Sequence, residues 1–330
     1  MRRAWLSPFL ILSLVPGWSG AERLPLLTRD ARIDVRHLTQ LAADQAQKRI
    51  GALEYLGGVA LKSPDPAFGG FSGLHVEDDR FLLLSDGGAV VRFTMGDDWR
   101  IREASFGDLT QGPRTGWEKR DRDSESIVVD PDTGTHWVAY ESANAIWRYD
   151  ETLTRATGQQ RPPAMRRWSR SGGPEAMARL SDGRFVVLSE SARRGAPEAT
   201  YRAVTFDRDP VDPRARTLRF FYRPPTGFRA TAADALPDDR IIVVNRRVVW
   251  PDGFEAVITI LDPAEIRSGE VVGGRIVARF GGALWSGFGR DNFEAVSVAS
   301  EGDDTIIWLA TDDNLQWPQR SLLLKFRLID

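Results

Sequence analysis

Gly172-Gly173-Pro174-Glu175-Ala176-Met177-Ala178-Arg179-Leu180-Ser181-Asp182-Gly183-Arg184-Phe185-Val186-Val187-Leu188-Ser189-Glu190-Ser191 decides the fold. A short strand opens at Glu175-Ala176-Met177, Ser181-Asp182-Gly183 makes a tight turn, and Phe185 to Leu188 return as an apolar strand ending on Ser189-Glu190. An Asp-Gly pair between two apolar runs is a strong local hairpin signal. The pattern recurs. Asp123-Ser124-Glu125-Ser126-Ile127 runs through Asp132-Thr133-Gly134 to Trp137–Ser142, and Asn292-Phe293-Glu294-Ala295-Val296 runs through Gly302-Asp303-Asp304 to Ile306–Asp312. Weaker copies start at Phe71-Ser72-Gly73-Leu74, reaching Asp86, and at Asp234-Ala235-Leu236, reaching Asn245.

The repeat phase points to an architecture. Steps between Ser72, Glu125, Glu175, Asp234 and Glu294 are 53, 50, 59 and 60 residues. That suits four-stranded propeller blades with long loops, since blade repeats run to about 50 residues. No 3.6-residue period supports a helical repeat. The expectation is an all-β propeller of six four-stranded blades, which leaves only short, protected edges. The last repeat ends at Leu322–Leu328, so an early strand, Leu53–Leu61, is expected to complete the final blade and close the ring.

The remaining chain reads as follows. Met1-Arg2-Arg3, the apolar run Ala4–Val15 and the small residues Ser19 and Ala21 fit a signal peptide over residues 1–21. The run falls short of the ~20 residues that span a bilayer, and no later stretch is apolar enough to do so. An N-terminal extension (22–50), in which Thr39–Lys48 reads as a short helix, precedes one propeller domain (51–330). The mature chain is thus expected to be periplasmic or secreted, and a monomer. Removing Arg2 and Arg3 leaves 42 basic against 46 acidic residues, a net charge of −4. That is too near neutral for a nucleic-acid partner.

The chemistry is bounded by exclusion. There is no cysteine, hence no disulfide, thiolate ligand or cysteine nucleophile. His37, His75 and His136 are the only histidines, and none lies in a metal-ligand spacing. No Gly-x-Ser-x-Gly elbow, phosphate-cradling loop or dinucleotide fingerprint is present. What remains is periodic: Ser72, Glu125, Glu175, Asp234 and Glu294 open the repeats, while Asp86, Glu141, Glu190, Asn245 and Asp312-Asp313-Asn314 end the second strands. If the first strands are innermost, these groups converge near the axis, where uncompensated carboxylates repel. Arginines or a hard cation relieve this, and calcium takes six to eight such oxygen ligands. The alternative is that each carboxylate caps backbone N–H groups between blades. Three loops, 107–122, 161–170 with its four arginines and 223–229, sit between repeats as facial connectors.

Several motifs carry a resemblance. Asp65-Pro66-Ala67-Phe68-Gly69-Gly70-Phe71-Ser72-Gly73-Leu74, Leu84-Ser85-Asp86-Gly87-Gly88, the Ser-Glu-Ser and Pro-Glu-Ala starts, and the tail from Asp312-Asp313-Asn314 to Gln319–Leu324 are similar to the phytase-like, "esterase-like activity of phytase" family. The similarity covers roughly Leu53–Leu328. It implies an exported propeller that hydrolyses phosphate esters, with calcium as cofactor.

Two functional readings follow. In the first, a calcium-dependent phosphoesterase or esterase acts on a small ester. Glu125, Glu175, Glu294, Asp86 and Asp312 are its candidate metal ligands, with Glu125, Glu175, Glu294 and Asp312 as catalytic groups. Arg114, Arg320 and Asn314 are the candidate substrate-binding residues, arginine gripping oxygens in forked fashion. In the second, a non-catalytic periplasmic propeller binds a ligand or protein partner, with Trp117, Trp250, Trp285 and Trp317 as loop aromatics that stack on it.

Overall fold

A computed structural model describes residues 27–38, 48–116, 118–192, 197–250, 253–281, 291–315 and 319–329. The expected leader, most of the Thr39–Lys48 helix, and Trp117, Trp285 and Trp317 lie outside the described residues. The regular secondary structure of the described chain is almost all strand. Its two short helices are single 3₁₀ turns at Lys119–Asp121 and Pro263–Glu265.

Five antiparallel sheets form the blades of a propeller. Blade 1 contains Phe71–Glu77, Arg80–Ser85, Ala89–Met95 and Ile101–Asp108; blade 2 contains Ser124–Asp130, Thr135–Tyr140, Ala145–Tyr149 and Ala156–Gln160. Blade 3 runs Pro174–Arg179, Phe185–Ala192, Tyr201–Phe206 and Thr217–Arg223, and blade 4 runs Arg229–Ala235, Ile241–Val249, Gly253–Leu261 and Arg275–Phe280. Blade 5 takes Asn292–Glu301, Asp304–Asp312 and Ser321–Leu328 from the C-terminal end and Leu53–Lys62 from the N-terminal end. The closing strand is therefore the expected one. The described residues form five blades where six were expected: long connections such as 109–123 and 262–274 use the length that the repeat spacing suggested for a sixth.

Why the strands stack is visible in their alternation. In Ile241–Val249 and Asp304–Asp312, side chains of successive residues face opposite neighbouring blades, so both faces are apolar. Among the described residues, five apolar clusters fill the five blade interfaces. Phe293 and Phe326 are wholly buried between blades 4 and 5, and burying such a side chain contributes roughly 1.5–3 kcal/mol. Each first strand packs against the first strands of its two neighbours, so these five strands surround the axis. Among the described residues no helix is long and apolar enough to cross a membrane.

One connection departs from the simple pattern. Between the third and fourth strands of blade 4 the chain reaches back, and Val271–Gly273 pairs in parallel with Phe221–Arg223 on the outer edge of blade 3. Blade 3 thereby gains a fifth strand.

Candidate functional site

Every innermost strand carries a bulge at the same place. The register shifts between Phe71 and Gly73, Ser124 and Ser126, Pro174 and Ala176, Ala230 and Ala232, and Phe293 and Ala295. The residues left over are Ser72, Glu125, Glu175, Thr231 and Glu294. A bulge frees one residue from the ladder and re-aims its side chain, here at the same level in all five blades. In blade 4 that residue is Thr231, which corrects the expected Asp234. Asp234 lies deeper and accepts Val298 N–H at 2.8 Å, an inter-blade cap of the kind weighed above.

The same registers locate the second ring. Ser85, Tyr140, Ser189, Asn245 and Thr311 pair opposite the bulges, so the next residues, Asp86, Glu141, Glu190, Arg246 and Asp312, share one level. Blade 4 thus supplies a cation where Asn245 was expected. Asn245 is buried, with its Oδ1 accepting from the Tyr222 hydroxyl at 2.8 Å.

Arg246 divides the mouth of the channel in two. Its guanidinium lies 2.6 Å from Glu294 Oε1, 3.6 Å from Glu190 Oε1 and 2.6 Å from Asn292 Oδ1. Burial works against its charge, but Glu294 and Glu190, with Asp312 and Glu175, outweigh that and hold its proton more tightly than usual. Asn292 Nδ2 donates to Glu294 Oε1 at 2.7 Å, and Asp312 Oδ1 accepts Asn314 N–H at 2.6 Å. Burial, followed by the charges of Glu294 and Asp86, still pushes the Asp312 carboxyl well above the usual range. Glu190 is raised by burial against the pull of Arg246 and Arg229.

Among the described residues, the opposite half has no such neutralisation. Asp123, Glu125 and Glu141 each place a carboxylate oxygen within 4.8 Å of the others. Burial, then Asp123, Glu141, Asp86 and Glu294, drives the Glu125 carboxyl well above its ordinary value. Glu175 is driven up by burial and by Glu125 and Glu141, and it hydrogen-bonds Glu141. Burial takes Glu141 from 4.5 to about 7, although the bond to Glu175 pulls the other way. Two carboxyls in hydrogen-bond contact share a proton between them. Glu175 is 7% exposed and its Oε1 has no hydrogen-bond partner.

The donor chemistry fits a hard cation. Ligands on opposite sides of calcium, at about 2.4 Å each, stand about 4.8 Å apart, and the orphaned Glu175 oxygen is a further candidate ligand. The expected ligand set therefore regroups. Glu125 and Glu175 come together with Asp123 and Glu141, whereas Glu294 and Asp312 belong to the Arg246 network. Asp86 acts on both halves through its charge.

Two built loops flank the acidic half. Arg122 is buried, and its guanidinium donates to the carbonyls of Leu109 at 3.0 Å, Pro113 at 2.9 Å and Thr110 at 3.3 Å, tying down the 109–123 connection. Asp121 accepts from Thr115 Oγ1 at 2.9 Å and Gly116 N–H at 3.0 Å. Arg114 stands on this loop at φ 57, with its guanidinium 3.9 Å from Asp121. Asn144, at φ 47, holds the second loop by donating to Trp168 O at 3.1 Å and Ser169 O at 3.3 Å. Between the loops lies a cavity of about 480 Å³ lined by Arg114, Arg161 and Arg170, with Ser142 and Trp147 in its wall. Ser142 Oγ also bonds Asp123 Oδ2, so one residue touches both the cavity and the carboxylates.

The other expected binding residues are placed differently. Arg320 Nη2 lies 2.6 Å from Asp291 Oδ2, and Asn314 Nδ2 donates to Gln319 Oε1 at 2.6 Å. Trp250 is 78% exposed at the tip of the blade 4 hairpin. Asp123, Arg246, Arg161 and Arg170 were not expected as site residues. The bulge register finds Arg246, and the Asp123-Ser124-Glu125 spacing could have flagged Asp123.

Comparison with known proteins adds the family. Among curated proteins, none matches this sequence. Solved structures of similar architecture include a chain from a nidogen/laminin complex, at 9% identity and TM-score 0.43, covering 82% of this chain and 91% of that one. Another is a glucose dehydrogenase, at 12% identity and TM-score 0.40, covering 77% and 94%. The model of the phytase-like family, described as "esterase-like activity of phytase", matches residues 66–315. With the match running from before the first blade into the last, this chain belongs to the phytase-like family.

Proposed function

We propose that the protein is a calcium-dependent hydrolase of small anionic esters, phosphate esters above all. The observation that carries this reading is the pairing of an unneutralised carboxylate cluster with an acid-free arginine cavity, joined through Ser142. Asp123, Glu125, Glu141 and Glu175 would hold the cation, whose chemistry is to neutralise the ester's charge and make a bound water more acidic. Arg114, Arg161 and Arg170 grip the non-reacting oxygens, as forked guanidiniums suit phosphate. The Glu141–Glu175 pair, its carboxyls both raised by burial, accepts the proton of the attacking water and returns one to the departing alcohol. Glu294 and Asp312, fixed by Arg246 and Asn292, position the wall facing this pair.

The export reading belongs to the same proposal: residues 1–21 direct a monomeric chain to a calcium-containing compartment outside the cytoplasm. A second reading, a cation-stapled propeller that binds a ligand or partner without turnover, is favoured by the many interactions already satisfied on the Arg246 side.

Thermal unfolding with calcium and with chelator, followed by a screen of the calcium form on aryl phosphates and aryl acetates, separates these readings. The hydrolase reading expects stabilisation by calcium and chelator-sensitive turnover, both lost in Asp123→Asn and Glu125→Gln. Stabilisation without turnover supports the binding propeller instead. No stabilisation and no turnover overturns both.

A further inference from the structure

A second cavity lies on the rim of blade 3, away from the axis. It encloses about 570 Å³, and its lining includes Arg167, Arg202 and Arg219 together with Trp168, Phe220 and Phe221, but neither aspartate nor glutamate. Elsewhere this chain matches arginine closely with acid: Arg102 with Asp98 at 2.6 Å, Arg184 with Asp182 at 2.6 Å, Arg240 with Asp238 at 2.6 Å and Arg216 with Asp207 at 2.8 Å. Among the described residues, Arg167 and Arg219 have no acidic partner. Three guanidinium groups around one acid-free cavity repel one another, and an anion between them relieves that repulsion.

The cavity is also built. Arg202 Nη1 donates to Arg167 O, and Arg219 Nη2 reaches Pro163 O at 3.5 Å, so carbonyls of the 161–170 loop orient the guanidinium groups. A guanidinium has five donors, so Arg219 retains several for an outside acceptor. The strap that adds the fifth strand to blade 3 walls the far side with Ser268 and Gly269, held by Gly269 N–H to Arg219 O at 2.8 Å. Trp168 and Phe220 are buried beneath, and Phe221 is half-buried. Charge stands on one wall and apolar surface on another.

We propose that this rim cavity binds a phosphate monoester, with the phosphate among Arg167, Arg202 and Arg219 and an aromatic or other apolar ester group against Trp168 and Phe221. A phosphate dianion answers the two guanidinium groups without an acidic partner, Arg167 and Arg219, better than a single carboxylate, and its tetrahedral oxygens accept from several directions. The cavity has no carboxylate to take a proton from water, so the ester is held here and not cleaved. The assignment uses none of the axial residues and stands apart from the hydrolase reading.

The test is calorimetric titration of the full chain with phenyl phosphate and with inorganic phosphate, in the presence of chelator so that cation-dependent hydrolysis is silent. Phenyl phosphate is expected to bind saturably, more tightly than inorganic phosphate. Its affinity should fall at least tenfold in Arg219→Gln and in Arg167→Gln, and should not change in Arg184→Gln, whose arginine pairs with Asp182 and lines neither cavity. Both rim variants alter exposed side chains; circular dichroism checks each fold, and either one alone carries the test. Absence of saturable binding, an affinity in the rim variants no lower than in Arg184→Gln, or equal affinity for the two phosphates overturns the assignment.

Discussion

Replacing Glu141 by glutamine should change the stability of the cation-free protein in opposite senses from its effect with calcium present. In the folded chain the Glu141 carboxyl titrates near 7 instead of 4.5. Each unit of difference corresponds to about 1.4 kcal/mol, so ionising Glu141 costs the native state about 3 kcal/mol. The sign follows from linkage. Below pH 4.5 the group is protonated in both states and costs nothing; between 4.5 and 7 the unfolded chain ionises first and stability falls; above 7 the whole cost is felt. Glutamine cannot ionise and still accepts the hydrogen bond from Glu175. In chelator at pH 8, Glu141→Gln should therefore be more stable than wild type by about 2–3 kcal/mol, and at pH 4 the two should coincide. Calcium should reverse the order, because wild type at a thousandfold excess over its dissociation constant gains about 4.1 kcal/mol and the variant loses a ligand. Urea unfolding at both pH values, with and without calcium, measures all four differences. A variant no more stable than wild type at pH 8 in chelator would refute the argument that burial makes the ionised Glu141 costly.

Other expectations are narrower. Arg246→Met leaves Glu190 and Glu294 without their cation, which should cost about 3 kcal/mol at pH 7; urea midpoints should show the loss shrinking toward pH 4 as the carboxylates protonate. Thr231→Val removes the hydroxyl that donates to Phe293 O at 3.1 Å, with an expected loss of about 1 kcal/mol by the same assay. Calcium binding at pH 7 should release protons from the Glu141–Glu175 pair, seen as a dependence of the binding heat on the ionisation enthalpy of the buffer. Gly57 has φ +149, and a Cβ there would lie 2.4 Å from the Trp99 ring, so Gly57→Ala should destabilise by about 2 kcal/mol or more and alter the near-ultraviolet dichroism.

Hairpins are local, and most of the fold was legible because of that. Apolar runs on either side of Asp182-Gly183 or Gly302-Asp303 need no distant partner to declare themselves, and blade 5 followed from strands at both ends of the chain. Blade number was harder, because spacing alone does not distinguish a missing blade from a long connection such as 262–274. The bulged position was legible at Ser72, Glu125, Glu175 and Glu294 and misread in blade 4. There Thr231 occupies the bulge, while the acid that drew attention, Asp234, sits three residues further along. An added residue breaks the two-residue period from which facing is inferred, and for the same reason Asn245 was chosen over Arg246. The arginine cavity was hidden for a different reason: Arg114 comes from one connection and Arg161 and Arg170 from another, and Arg122 and Asn144, each bonding loop carbonyls, hold those connections in place.

Blade 5 has a consequence for how the molecule can be made and destroyed. Since Leu53–Lys62 and Ser321–Leu328 pair along eight registered positions, neither end of the chain can complete the ring without the other. A nascent chain still lacking its last strands keeps the closing strand waiting with both faces apolar. A fragment that has lost the chain through Lys62 presents Ser321–Leu328 as an open template for other chains. The seam works as a check on chain integrity: intact molecules conceal it, while truncated ones expose a sticky edge that aggregation or proteolysis can find.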